Sequence, residues 1–195
     1  MTCVLSLDIA MGRTGWAVGQ PAADARFSHG VFETENWSGN EGRNLVAFRK
    51  HLESLRSLYP LTHVAIEQVF VDVRKASRFQ FNGTQGQMML SGVALEWACR
   101  SSIRAVEVNI DDWRMRFLGL NRRPKDHKSD DNYWKNTALR RAAELNYYCQ
   151  HHDEAEAIGI LDFALAALDK PYRLRTNPRQ ARAQADIDNK RGIFA

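Results

Sequence analysis

The stretch that most constrains the fold of this chain is residues 151–160, which read H-H-D-E-A-E-A-I-G-I. It opens an apolar segment, Ala155–Leu168, whose composition predicts a helix packed in the core. Acids near a helix N-terminus are favoured by the helix dipole, so capping explains part of the pattern. Asp153 and Glu156, however, are three residues apart and therefore project from one helical face. Because two such carboxylates repel each other unless a cation lies between them, we expect further carboxylates at the same place.

Two short apolar segments, Val4–Asp8 and His63–Glu67, each predict a strand that ends in an acid. Two further strands and a helix are expected between them, so the second segment should lie parallel to the first. Ligands bind beyond the carboxyl ends of parallel strands. We therefore expect Asp8 and Glu67 to meet at one edge of the sheet, although Asp8 alone would be interpreted as an ordinary turn residue.

The remaining segments complete an α/β pattern that predicts a five-stranded mixed sheet flanked by helices. Its other elements are strands at Thr14–Gly19, Arg26–Glu33 and Arg104–Val108 and helices at Asn44–Tyr59, Met88–Cys99, Asp111–Leu118 and Trp134–Leu145. The 195 residues suffice for one domain with a full core. We place that domain at residues 1–170, expect Pro171 to end regular structure, and expect residues 171–195 to form a basic tail.

The composition excludes several classes of protein. Hydrophobic residues make up 44% and charged residues 26% of the chain, as in ordinary globular proteins. No apolar run reaches the length of a membrane span, and we expect no signal peptide. The three cysteines lack C-x-x-C spacing and are interpreted as reduced thiols, which favours the cytoplasm.

Basic residues are concentrated in three places. Segment Val69–Gln87 alternates cations with aromatic rings, as in loops that bind unpaired or distorted nucleic acid; we take Phe70, Arg74, Lys75 and Arg78 as candidate DNA contacts. The alternative for Phe79 and Phe81 is that they anchor the next helix in the core. Residues 112–141 carry nine Lys or Arg against four Asp or Glu, which indicates a phosphate-binding surface or, alternatively, a solvated face. The tail either adds DNA affinity or is a loose terminus.

Asp8, Glu67, Asp153 and Glu156 together would offer enough carboxylate oxygens for two divalent cations. Oxygen ligands favour Mg²⁺, with Mn²⁺ as the alternative, over zinc. Two such ions stabilise the attacking and leaving oxygens of an in-line phosphoryl displacement. With the surrounding cations, these residues indicate a metal-dependent phosphodiesterase that acts on nucleic acid.

Three motifs in this order resemble those of the RuvC-type Holliday junction resolvases. They are V-L-S-L-D-I-A-M-G-R-T-G-W-A-V from residue 4, A-I-E-Q-V-F from residue 65 and D-E-A-E-A-I-G-I from residue 153, and together they extend over Val4–Leu168. The compact size and basic tail resemble phage or prophage members of that family. Two departures are Ile9-Ala10, where the family has Pro-Gly, and Glu156, where Asp is usual. Glu154 is a nearby substitute ligand, but it points about a quarter-turn away, and the preceding histidines are not among the predicted metal ligands.

The resemblance implies an RNase H-like fold and a homodimer that binds branched DNA, chiefly four-way junctions, in a bacterial cytoplasm or phage-infected cell. It implies a crossover junction endodeoxyribonuclease that makes paired symmetric nicks with two Mg²⁺ ions per active site. The catalytic and metal-binding residues would be Asp8, Glu67, Asp153 and Glu156. Phe70 would stack on a base near the junction centre, and the residues near the scissile phosphate would come from Lys128, Lys135, Arg140 and Arg141.

Three alternatives stay open on the sequence. The first is a broader debranching nuclease. The second is a non-catalytic junction-binding protein on the same fold, in which Glu156 marks a site that has lost its activity. The third is a small-molecule phosphotransferase of the related actin-like fold, which the short chain and the lack of a second nucleotide-binding half make the weakest of the three.

Overall fold

The computed structural model describes residues 2–22, 26–69 and 78–175, with the backbone alone at 78–83 and 174–175. Its five strands are β1 Val4–Asp8, β2 Arg13–Gly19, β3 Ser28–Glu33, β4 His63–Glu67 and β5 Arg104–Val108. They form one sheet in the order β3-β2-β1-β4-β5. The first three strands are an antiparallel meander, while β4 lies parallel to β1 and β5 parallel to β4. The predicted five-stranded mixed sheet is therefore confirmed.

Helices cover both faces of this sheet. They are α1 Glu41–Leu58, α2 Arg78–Arg100, α3 Ile110–Phe117, α4 Tyr133–Glu144, α5 His152–Leu168 and α6 Lys170–Arg175, with a 3₁₀ turn at Lys125–His127. Successive residues of β1 point to opposite faces. Leu5 packs with Phe48 of α1 and Trp97 of α2 on one face, and Val4 packs with Leu161 of α5 on the other. Within the described ranges, no helix is long and apolar enough to cross a membrane.

Several element boundaries differ from those expected, and three of these differences change an interpretation. Helix α2 begins at Arg78, so the interpretation of segment Val69–Gln87 as a loop is wrong from residue 78 onward. Basic and aromatic residues without a proline are as compatible with a helix as with a loop. Helix α5 begins at His152, which places Asp153 in its first turn. Regular structure does not end at Pro171, because proline near a helix start lacks an N–H that would be unpaired there anyway, and α6 continues through it.

Helix α5 lies unusually close to the meander at Gly15 of β2. A β-carbon built on Gly15 would lie 1.9 Å from the backbone carbonyl oxygen of Asp153, so only glycine allows this approach. Further along the helix, the buried Ser6 hydroxyl donates a 2.7 Å hydrogen bond to the carbonyl oxygen of Ala157. Gly15 is also the register partner of Asp8 across β1 and β2. The same close contact therefore brings the start of α5 to the end of β1.

Replacing Gly15 with Ala is expected to displace the start of α5, because the obstructing atoms belong to backbone and cannot rotate away. We expect the free energy of unfolding to fall by about 1–3 kcal/mol, the usual cost of an overpacked core. Chemical denaturation measures it.

The matched control is Gly42→Ala in α1, where an added β-carbon meets nothing within 4 Å. That exposed helical position should be neutral or gain up to about 1 kcal/mol. Equal stability of the two variants would contradict the close packing at Gly15.

Candidate active site

The ends of β1 and β4 place the first two candidate acids side by side. The strands are parallel neighbours, with Leu7 opposite Ile66, so Asp8 and Glu67 leave the sheet at the same edge. The first turn of α5 approaches this edge from one face of the sheet. Asp8, Glu67, Asp153 and Glu156 are consequently within electrostatic reach of one another. The structure thus brings together all four carboxylates that the sequence singled out.

Asp8 and Glu156 form a carboxyl pair in this cluster, and their side chains are hydrogen-bonded to each other. Burial raises the pKa of Asp8 well above its usual range, and the negative charges of Glu156 and Glu67 raise it further. Burial and the charge of Glu67 likewise raise the pKa of Glu156 to about 7. Two carboxyl groups hydrogen-bonded in this way share a proton when no cation is bound.

Glu67 is held in place by a neighbouring helix. The buried Trp113 of α3 donates a 2.7 Å hydrogen bond from Nε1 to Glu67 Oε2. Burial raises the pKa of Glu67, whereas this hydrogen bond and the charge of Arg114 lower it. Trp113 itself fits against α5 because Gly159 leaves the space; a β-carbon there would lie 2.8 Å from the indole ring. Packing between α3 and α5 therefore fixes the orientation of this carboxylate.

Asp153 is the most enclosed of the four acids, with only 5% of its surface exposed. Its Oδ2 atom is buried and has no hydrogen-bond partner among the described residues. Arg13 Nη1 lies 3.6 Å from Oδ2, and Nε2 of the His152 imidazole, whose pKa is lowered by burial, lies 3.3 Å from Oδ1. A buried carboxylate oxygen without a donor is costly, and it is the arrangement expected of a metal ligand without its ion.

This donor set fits hard divalent cations. All four side chains offer carboxylate oxygens, two of them share a proton, and Asp153 Oδ2 lacks a donor. Oxygen-only clusters of this kind suit Mg²⁺ or Mn²⁺. Asp8, Glu67, Asp153 and Glu156 are the residues that would hold such ions.

Arg114 of α3 borders the acid cluster, a position that the sequence reasoning did not identify. Its guanidinium carbon lies 4.5 Å from the ring centroid of Trp134 and 5.5 Å from that of Trp113. Both contacts have cation–π geometry. Its charge lowers the pKa of both Glu67 and Glu156. No sequence signal marks it, since its place depends on how α3 and α4 pack together.

The predicted basic residues have different surroundings. Lys135 is exposed on α4. Burial lowers the pKa of His152, the residue before Asp153, and the charge of Lys135 lowers it further. Arg141 joins two helices, donating to the carbonyl oxygen of Phe117 at 3.1 Å and to Glu144 at 2.9 Å. This pairing favours a structural role for Arg141.

The structure describes the other predicted DNA contacts only in part. Lys128 and Arg140 are exposed. Arg78 lies in α2 with its backbone alone described, and Phe70, Arg74 and Lys75 lie outside the described residues, as does the tail beyond residue 175.

The strand order and the acidic edge define an α/β protein of RNase H-like fold. The chain is similar to the structure of T. thermophilus RuvC in complex with Holliday junction substrate. The TM-score is 0.60 and the sequence identity is 11%, and the match covers 82% of this chain and 90% of that chain. It is also similar to the Thermus thermophilus RuvC structure, with a TM-score of 0.55 and 16% identity over 90% of this chain and 98% of that one. No protein-family model and no curated protein matches it. The resemblance to RuvC-type resolvases is thus confirmed for the fold.

In protein freed of metal by a chelator, Glu156→Gln is expected to raise stability at pH 8 more than at pH 5. The folded pKa of Glu156, about 7, lies above its ordinary value of 4.5. A group with a raised folded pKa contributes stability below the unfolded value and loses that contribution as pH rises through the folded value. The free energy of unfolding of the wild-type protein should therefore fall between pH 5 and 8, and that of the variant should fall less.

Urea denaturation at the two pH values, with chelator present throughout, measures this difference. Glu53→Gln on the exposed face of α1 is the control and should leave the pH dependence unchanged. If Glu156→Gln and wild type lose the same stability between pH 5 and 8, the raised pKa of Glu156 is contradicted.

Proposed function

We propose that this chain is a divalent-metal-dependent endodeoxyribonuclease that resolves four-way DNA junctions by paired symmetric nicks. The observation that carries the proposal is the cluster of four carboxylates at one edge of an RNase H-like sheet, two of them hydrogen-bonded to each other. A fold alone does not specify function, so the proposed activity depends on the chemistry of this cluster. The substrate class is suggested by the similar T. thermophilus RuvC, which was solved in complex with a Holliday junction substrate.

In the proposed mechanism, Asp8, Glu67, Asp153 and Glu156 bind the cations. Divalent ions bound there would lower the pKa of an attacking water and stabilise both oxygens of the phosphoryl displacement. Asp8 and Glu156 are ready to bind once their shared proton has left. Oxygen-only coordination makes Mg²⁺ the proposed ion and Mn²⁺ its substitute.

The surrounding residues position these groups. Trp113 fixes the orientation of Glu67 through its indole N–H. Arg114 offsets part of the negative charge of Glu67 and Glu156. Lys135, whose charge acts on His152 next to Asp153 in the chain, is the proposed contact for a phosphate that enters the site from the side of α4. Preorganised charges of this kind act on the charge that develops in the transition state.

A homodimer is part of the proposal because two nicks in one junction require two active sites. The exposed side of α2 is the proposed interface, since it presents Met88 at 54% and Leu95 at 36% exposure. The exposed Gly92 would permit close approach of a second helix.

Asp8→Asn is expected to abolish nicking of a synthetic mobile four-way junction while leaving binding intact. The substitution removes one ligand charge from the cluster but keeps the shape of the side chain. Denaturing gels of end-labelled strands measure cleavage with Mg²⁺ and with EDTA, and fluorescence anisotropy measures binding. Paired symmetric nicks by the wild type, absent with EDTA and in the variant, would support the proposal.

Linear duplex and a three-way flap serve as substrate controls in the same experiment. Equal cutting of all branched substrates would replace the resolvase with a broader debranching nuclease. Tight junction binding without nicks under Mg²⁺ or Mn²⁺ would overturn the enzymatic proposal and leave a junction-binding protein.

Lys135→Gln is expected to lower the rate of junction cleavage by about 10²-fold, because a cation facing the transition state contributes roughly that factor. Single-turnover cleavage at saturating enzyme separates this effect from weaker binding. Lys50→Gln is the matched control, since Lys50 is exposed on α1 and that helix packs on the opposite face of the sheet from α5. Equal rates for the two variants would remove Lys135 from the mechanism.

A further inference from the structure

A second group of metal-ligating side chains lies beside the start of α5, separate from the acid cluster. It contains His29 of β3, Cys149 from the segment before α5, and Glu154 of α5. One ligand atom from each of these residues lies within 4.8 Å of the other two. Successive helical residues are about 100° apart, so Glu154 leaves the helix in a different direction from Asp153 and Glu156. The two groups therefore share one helix turn but have separate surroundings.

The backbone holds each of the three residues in place. Glu154 Oε1 accepts hydrogen bonds from the backbone N–H groups of Gln150, at 3.2 Å, and His151, at 3.1 Å. This leaves Glu154 Oε2 facing His29 Nδ1 at 2.7 Å. Hydrogen bonds to the second oxygen of a ligating carboxylate orient the first oxygen, as is usual in metal sites.

Cys149 reaches this place because the chain reverses after α4. Asn146 has a positive φ of 63°, a conformation that asparagine adopts more readily than most residues. The ring of Tyr147 then packs edge-on against the imidazole of His29, with centroids 6.2 Å apart. The thiol of Cys149 is half-buried, so a small ion can reach it from solvent.

The hydrogen bond between His29 and Glu154 accounts for two of the three residues without any ion. It does not account for a thiol beside a buried carboxylate. Burial and the charge of Glu154 together raise the pKa of Cys149 to about 12, so the thiol stays protonated without a cation. A bound cation would favour the thiolate and bring the three side chains together.

We propose that His29 Nδ1, Cys149 Sγ and Glu154 Oε2 form a zinc site whose fourth position is filled by water. Nitrogen, sulfur and oxygen ligands together suit Zn²⁺, which takes four ligands in tetrahedral geometry. On binding, the Cys149 thiol releases its proton to solvent and the sulfur donates its electron pair to the ion. Formation of this site is independent of the nuclease activity proposed above.

The site joins β3 to the first turn of α5. Glu154 lies between Asp153 and Glu156 in the chain, so the ion would fix the helix turn that carries two of the proposed catalytic carboxylates. This consequence rests on the proposed function, whereas zinc binding does not.

The test is Co²⁺ and Zn²⁺ binding to the full-length protein after removal of metals by a chelator. Cobalt bound to a thiolate gives a charge-transfer absorption in the near ultraviolet, which carboxylate-bound cobalt lacks. We expect this band, and one tightly bound zinc per chain by elemental analysis, in the wild type and in Asp8→Asn. Asp8→Asn is included because it weakens metal binding at the acid cluster. An ion that this variant retains therefore belongs to the proposed zinc site.

Cys149→Ser and His29→Gln should both lose the band and the tightly bound zinc. Cys99→Ser, at an exposed cysteine on α2, is the matched control and should keep both. Added zinc should raise the Tm of wild type and Cys99→Ser by several degrees and leave that of Cys149→Ser unchanged, while far-ultraviolet circular dichroism establishes that each variant is folded.

The proposal is overturned if wild type gives no thiolate-to-cobalt band or if the folded variants retain the same zinc as wild type. Since no DNA is present in these measurements, this outcome would leave the nuclease proposal standing. Zinc binding in a protein that fails to cleave junctions would, conversely, leave the zinc site standing.

Discussion

The approach of α5 to β2 at Gly15 is the contact on which the candidate site depends. Nothing larger than hydrogen fits between the two backbones there, because a β-carbon would overlap the carbonyl group of Asp153. The Ser6 hydroxyl holds the next turn through the carbonyl oxygen of Ala157. Beyond its first turn, helix α5 is mostly apolar and packs across β1 and β2, so its polar first turn is carried to the end of β1. Close packing of the core thus creates the cluster of carboxylates.

Such a cluster opposes folding unless its charge is reduced. The protein reduces it in three ways: a shared proton between Asp8 and Glu156, an indole N–H on Glu67, and the guanidinium of Arg114. None of these reaches Asp153 Oδ2, which stays buried without a donor. The buried carboxylate therefore lowers the stability of the fold at a place where it would strengthen cation binding. Such a conflict is common at functional sites. This buried oxygen, which has Arg13 at 3.6 Å but no hydrogen-bond donor among the described residues, favours a metal site at this edge of the sheet more than the fold does.

The acids could be predicted from the sequence because each has a local signature. Asp8 and Glu67 end short apolar strands, and Asp153 and Glu156 are spaced for one helical face. Arg114 and Trp113 had no such signature, since their roles depend on α3 packing against α5 in the space left by Gly159. The start of α2 was missed for another reason: its basic and aromatic residues fit both a nucleic-acid-binding loop and a helix. Local patterns locate residues, whereas packing decides which of them meet.

The first turn of α5 shows how one helix turn supports separate tasks. Because successive residues are about 100° apart, Asp153 and Glu156 lie along one edge of the helix, whereas Glu154 points in another direction. Glu154, which the sequence offered only as a substitute ligand, accepts two backbone N–H groups and faces His29, so it is not available to the acid cluster. Glu156 replaces the shorter Asp usual in the resembling family, yet its carboxyl group reaches Asp8 directly. The fourth carboxylate is therefore part of the cluster although its side chain is one methylene longer.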